Sequence, residues 1–122
     1  MAPGMKFPHK GEIWHVNGDP TKGREFQGPH YYLVITDKQL VKALGVATCV
    51  PITTGGSAAR SAQVTVMLDG GSTDKGSVTG VALCYMLRSM DLKARGARYH
   101  STVEAAVMRE ILDKVVDLID PQ

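Results

Sequence analysis

For most of the chain, apolar residues come in short bursts separated by glycine and proline, and only the last twenty or so residues change rhythm. Residues 12–16 predict a first strand. The run Tyr31-Tyr32-Leu33-Val34-Ile35-Thr36 is continuously aromatic and β-branched, and predicts a central one. Between them, residues 17–30 are polar and broken by Gly18, Pro20, Gly23, Gly28 and Pro29, which predicts a long loop. A loop of that length inside a compact domain is more often functional than idle. Asp37 stands where a helix cap would, ahead of a short helix through Leu44 that Gly45 ends. Residues 46–52 predict a strand and residues 53–61 a loop, whose Gly55-Gly56 pair allows close backbone approach to a ligand.

Val64, Val66 and Leu68 alternate with less apolar neighbours, as in a half-buried antiparallel strand with those three facing inward. Residues 69–78 are turn-rich. From 81 to 88 the apolar residues fill both phases, with Val81, Leu83, Tyr85 and Leu87 on one and Ala82, Cys84 and Met86 on the other. That pattern predicts one continuous strand buried on both faces. Near the end, Ser101 and Glu104 have capping-box spacing, and Val107, Met108, Ile111, Leu112, Val115, Leu118 and Ile119 recur at helical intervals. A terminal amphipathic helix of about four turns is expected, stopping before Pro121 and turning Arg109, Glu110, Asp113, Lys114 and Asp117 to solvent. Many short strands and one terminal helix predict a mainly β fold, a small bent antiparallel sheet or barrel, with residues 1–9 a tail and 10–122 one domain.

Length and charge narrow this further. A chain of 122 residues builds one modest core, and a net charge of +2 permits nucleic-acid contact without demanding it. Cys49 and Cys84 lie in apolar runs and are expected as buried, reduced thiols, which suits a cytoplasmic protein. No apolar run reaches about 18 residues and the N-terminus has no hydrophobic core, so neither a membrane span nor a signal peptide is expected. His9, His15, His30 and His100 form no metal spacing with the cysteines. His15 falls on the outward phase of its strand, and His100 adjoins the turn before the terminal helix.

Several stretches together resemble the MazF/PemK family of bacterial toxins. They are Gly11-Glu12-Ile13-Trp14-His15-Val16 with residues 19–28 after it, Val50-Pro51-Ile52-Thr53-Thr54-Gly55-Gly56, Ala59-Arg60, and Asp91-Leu92-Lys93-Ala94-Arg95-Gly96. The resemblance implies a small SH3-like barrel of the CcdB/MazF/PemK type with a C-terminal helix, working as a homodimer. It also implies an mRNA interferase, a sequence-specific endoribonuclease cleaving single-stranded RNA without metal or other cofactor. A cognate antitoxin of a type II toxin-antitoxin system would silence it. A second reading keeps the fold without the cleavage, leaving a protein that binds RNA, antitoxin or, as CcdB toxins do, DNA gyrase.

Metal-free RNA cleavage needs a base for the 2′-hydroxyl proton, an acid for the leaving 5′-oxygen, and positive donors around the phosphorane. Residues 24–30 contain all three types in Arg24, Glu25 and His30. Glu25 matches the family's loop glutamate, and Thr53 its threonine at the end of the Pro-Ile-Thr strand. Arg60, with Thr54 and Ser57, would hold RNA phosphates. Lys93 and Arg98 give the 91–98 segment a basic flank, and Asp91 and Arg95 are expected as an ion pair fixing the turn. Four positions depart from PemK-type members: Arg24 replaces a histidine, His30 an arginine, Leu83 an arginine, and Tyr85 an aspartate or other polar group. The chemistry suggests redistribution, in which Arg24 supplies the charge missing at 83, His30 an imidazole, and Tyr85 a phenol or a base-stacking face.

Overall fold

The computed structural model describes residues 7–54, 63–76 and 78–121. Strands β1 (Glu12–Asn17), β2 (Pro29–Val34), β3 (Ala47–Thr53), β4 (Thr65–Leu68), β5 (Gly80–Leu83), β6 (Arg88–Met90) and β7 (Arg98–Thr102) form one antiparallel sheet. Helix α1 (Lys38–Leu44) links β2 to β3, and α2 (Ala105–Ile119) ends the fold. The sheet order is β4-β5-β3-β2-β1-β7, with β6 also paired to β3. It bends around its core without closing by strand pairing, so the expected barrel is an open, barrel-like sheet.

The two faces of the sheet bury separate clusters because side chains alternate along each strand. Ile13, Leu33, Val50 and Ile52 pack with Met108, Ile111 and Val115 of α2. Trp14, Val16, Tyr32, Val34 and Cys49 pack on the other face with Val41 of α1 and with Met90 and Leu92. Both cysteines are free and buried. Burial pushes the Cys49 thiol up to about 12, with the nearby Arg88 charge opposing it, and the Cys84 thiol up to about 11. No helix among the described residues is long and apolar enough to cross a membrane.

The expected continuous strand over 81–88 is broken. β5 pairs Ile52 with Ala82 and β6 pairs Cys49 with Arg88, so five residues pass where β3 has only Val50 and Pro51. The surplus folds out as a 3₁₀ turn, Cys84–Met86. Pro51 explains the position of the break. Thr48 uses its N–H and C=O toward Thr36 and Ile35, on the β2 side, so by alternation Pro51 faces β5 and β6, and proline has no N–H to give them. The turn pushes Tyr85 out of the sheet, leaving it 42% exposed, while Leu83 stays in the core at 4%.

Other boundaries shift for equally local reasons. β2 begins at Pro29, so His30 belongs to a strand rather than to the loop. The capping box does not form, because Ser101 pairs with Ile13 inside the β1–β7 ladder and is fully buried, and α2 starts at Ala105 without a side-chain cap. Asp37 stands at the N-cap of α1 but its carboxylate turns to Lys10 at 3.5 Å. Gly45 ends that helix as expected, in the left-handed conformation with φ of 79°. On α2 the apolar stripe overruns the core, with Val116 exposed and Ile119 at 78%.

Candidate active site

The loop between β1 and β2 is built by its own polar groups. Asp19 Oδ1 accepts the Gly28 amide at 3.0 Å, Asn17 Oδ1 accepts the Asp19 amide at 3.0 Å, and Glu25 Oε1 accepts the Lys22 amide at 2.6 Å. Two arginines then clamp the loop backbone to the sheet. Arg88 Nη1 donates to the Gly18 carbonyl at 2.9 Å, and Arg95 Nη1 donates to the carbonyls of Asn17 at 3.1 Å and Asp19 at 2.7 Å. The expected Asp91–Arg95 ion pair is therefore replaced by two separate structural roles. Arg95 is taken by loop carbonyls, and Asp91 Oδ1 accepts the Ala94 amide at 2.9 Å and closes its own turn.

This clamping places the loop beside the 3₁₀ turn and opens a groove of about 760 Å³ between them. Arg24, Glu25 and Phe26 line it from the loop, and Tyr85, Met86, Leu87 and Arg88 from the turn and β6. Three of the residues expected to act together, Arg24, Glu25 and Tyr85, thus share one cavity. With two guanidinium groups against one carboxylate, its lining suits an anion. Arg24 is exposed and makes no hydrogen bond or ion pair with a described residue.

His30 adjoins this groove through Phe26, their rings 3.9 Å apart and tilted by 34°. Its Nε2 lies 2.7 Å from the Gln27 carbonyl, which only accepts, so Nε2 carries a proton and Nδ1 is left for chemistry. Tyr31 pairs with Ile52 in the last rung of the β2–β3 ladder, and His30 and Thr53 are the residues just beyond it, on one face of the sheet by alternation. Thr53 is half-buried, and its backbone pairs with Val81 on its other side.

The remaining candidates lie elsewhere. Thr54 is exposed just past β3, and Ser57 and Arg60 fall outside the described residues. Lys93 lines a separate pocket of about 310 Å³ with Trp14, Val41 and Leu92. Arg98 is exposed opposite His15 in the β1–β7 ladder, where His15, Tyr31 and His100 form a row of edge-on rings spaced 5.1 and 4.8 Å apart. His15 and Tyr31 alternate with Val16 and Tyr32, so this row lies on the face of the sheet away from His30. No three His, Cys, Asp or Glu side chains among the described residues are placed to share a metal. Sequence reasoning missed Arg88 and Phe26; the only signal for Arg88 was a charge closing an otherwise apolar run.

Residues 9–119 match the sequence model of the family described as PemK-like, MazF-like toxin of type II toxin-antitoxin system. The chain belongs to this family. It is 36% identical to endoribonuclease PemK of Escherichia coli over 110 residues, 90% of this chain and 80% of that protein. It is 33% identical to endoribonuclease toxin ChpB of E. coli K12 over 111 residues, covering 91% of this chain and 93% of ChpB. The fold matches the crystal structure of MazF from Deinococcus radiodurans with a TM-score of 0.82 and 24% identity, over 93% of this chain and 97% of that one. A MazE–MazF complex from the same organism matches at 0.77 and 23% identity, over 96% of this chain and all of that one. The four positions expected to depart from PemK-type members fall into two groups. Arg24 and Tyr85 line the groove and His30 borders it, whereas Leu83 is packed inside the core and cannot present any group to a ligand.

Proposed function

We propose that this protein is the toxin of a type II toxin-antitoxin system and cleaves single-stranded RNA, mRNA in particular, without a metal ion. The observation that carries this reading is the groove itself, which sets Arg24 and Glu25 against Tyr85 and Arg88, with His30 stacked on its Phe26 wall. In the reaction a base removes the 2′-hydroxyl proton, the 2′-oxygen attacks phosphorus, and the bond to the 5′-oxygen breaks as that oxygen takes a proton. The products are a 2′,3′-cyclic phosphate and a 5′-hydroxyl. Glu25 and His30 are the proton-transfer groups, and Arg24 with the Thr53 hydroxyl stabilises the phosphorane charge. Tyr85 offers a stacking face to a neighbouring base. Thr54, Ser57 and Arg60 bind RNA phosphates, and Lys93 and Arg98, away from the groove, meet only flanking RNA.

The working unit in this reading is a homodimer in the cytoplasm, silenced by a cognate antitoxin as in the MazE–MazF pairs of its structural relatives. A second reading, a binder that does not cut, draws on the burial of Leu83 where PemK-type members carry arginine. Mass spectrometry of the RNA fragments separates the two. Fragments ending in cyclic phosphate are expected from the wild type and not from Glu25→Gln, whereas 3′-hydroxyl ends or intact RNA would contradict the mechanism.

A further inference from the structure

Arg88 lines the groove, and neither the family resemblance nor the sequence pattern gave it a role. Its side chain is half-buried and anchored at one end of its guanidinium. Nη1 donates to the Gly18 carbonyl at 2.9 Å. The loop backbone comes close here, since a Cβ at position 18 would lie 2.7 Å from Tyr32 Oη and 3.2 Å from Arg88 Nη1 and would force one of them to shift. The guanidinium is thus held between the loop backbone and the phenol of Tyr32, which is fully buried. Tyr32 Oη makes no hydrogen bond of full geometry, yet the Arg88 guanidinium lies close enough that its charge and a side-chain contact both oppose the rise that burial imposes on the phenol's pKa.

A guanidinium presents five N–H donors in a rigid fork, and Gly18 uses one. Arg88 forms no ion pair with a described residue. The carboxylate nearest in role, Glu25, is engaged with the Lys22 amide. A cation with unspent donors and no ion pair to a described residue, in a groove that sets two guanidinium groups against the single carboxylate of Glu25, is built to receive an anion. Planar, bidentate recognition of phosphate oxygens is what this side chain does best. Leu83 is inside the core, and Arg88 is the first cation beyond the 3₁₀ turn that follows it.

We propose that Arg88 is a phosphate-binding residue of the groove, donating to the non-bridging oxygens of an RNA phosphate. This rests on the endoribonuclease reading of the groove. Arg88 also clips the loop, so loss of cleavage alone would not separate the two roles, but the salt dependence of binding does. For single-stranded nucleic acid, each phosphate contact contributes a slope of about −0.7 to log K against log salt.

The test measures binding of an uncleavable 2′-O-methyl RNA of mixed sequence across a salt series, with the fold of each variant checked by circular dichroism. Arg88→Gln and Arg88→Met, two charge-free variants so that one misfolded protein does not end the test, are expected to bind with a slope shallower by about 0.7. Arg88→Lys, which keeps the charge and loses the fork, is expected to keep the wild-type slope while its cleavage rate falls. Unchanged slopes in the charge-free variants of an enzyme that cuts RNA would overturn this assignment alone and leave Arg88 a loop clip. A wild type that neither binds nor cuts RNA would overturn the endoribonuclease reading and this assignment with it.

Discussion

Phe26 and His30 stack with their ring centroids 3.9 Å apart, four residues apart on a chain that turns between them through Gly28. The stack joins the loop wall of the groove to the first residues of β2. Together with the Nε2 contact to the Gln27 carbonyl, it holds the ring and leaves Nδ1 as the nitrogen not used by that contact. His30→Gln is expected to lower kcat by about 10²- to 10⁴-fold, the usual contribution of a positioned acid or base, while affinity for uncleavable RNA changes little. Phe26→Ala should reproduce part of that loss by releasing the ring. Equal losses in affinity and turnover for His30→Gln would mean that it binds RNA without transferring a proton.

Tyr85 reaches the groove because three surplus residues fold out of the sheet. If its ring stacks on a base, Tyr85→Phe keeps KM near the wild-type value and Tyr85→Ala raises it by roughly tenfold, since a stacked base is worth about 1–3 kcal/mol. If the phenol transfers a proton, the phenylalanine variant loses kcat instead. Steady-state kinetics on one short substrate distinguishes them.

Gly80 holds the strand end that presents Thr53. Its φ is +144°, and a Cβ there would collide with the Thr53 carbonyl. Gly80→Ala is expected to destabilise the fold by at least about 2 kcal/mol, from backbone strain and the displaced β3–β5 rung. Urea denaturation reads this directly. An unchanged midpoint would show that the rung can yield.

The buried thiols give a pH dependence with a definite sign. Folding raises the Cys49 thiol from 9.0 to about 12 and Cys84 from 9.0 to about 11. Below pH 9 both states keep these protons and nothing is lost. As pH climbs past 9 the unfolded chain ionises first, so this contribution to stability drains away up to the folded-state values. The urea midpoint of the wild type should therefore fall more steeply between pH about 8 and about 10.5 than that of Cys49→Ala. Parallel curves would contradict the burial of Cys49.

Much of this arrangement was legible in the chain. Alternation identified the strands that bury Val66 and Leu68, the aromatic run identified β2, and the helical period identified α2 through Val115. Failures came where tertiary pairing overruled a local pattern. Ser101 has the spacing of a cap but is consumed by the ladder with Ile13, and residues 83–87 have the pattern of a strand but face Pro51, which cannot donate to them. The site followed the same rule. Glu25 and Arg24 were visible as a charged cluster on a breaker-rich loop, and their meeting with Tyr85 depends on a turn that no periodicity encodes. The Asp91–Arg95 pairing was expected from the family-like Asp-Leu-Lys-Ala-Arg-Gly stretch, and the loop carbonyls of Asn17 and Asp19, distant in sequence, won the guanidinium instead. Arg88 escaped notice because its partner, the Gly18 carbonyl, is seventy residues away.

The central claim is that this groove cuts RNA without metal, and the most direct test incubates the purified protein with a long single-stranded RNA in EDTA beside a Thr53→Ala control and maps every new 5′-end. Discrete cuts bearing 5′-hydroxyls, absent or strongly reduced in the control, are the expected result. Intact RNA from folded wild-type protein, or cutting that Thr53→Ala leaves untouched, would contradict it.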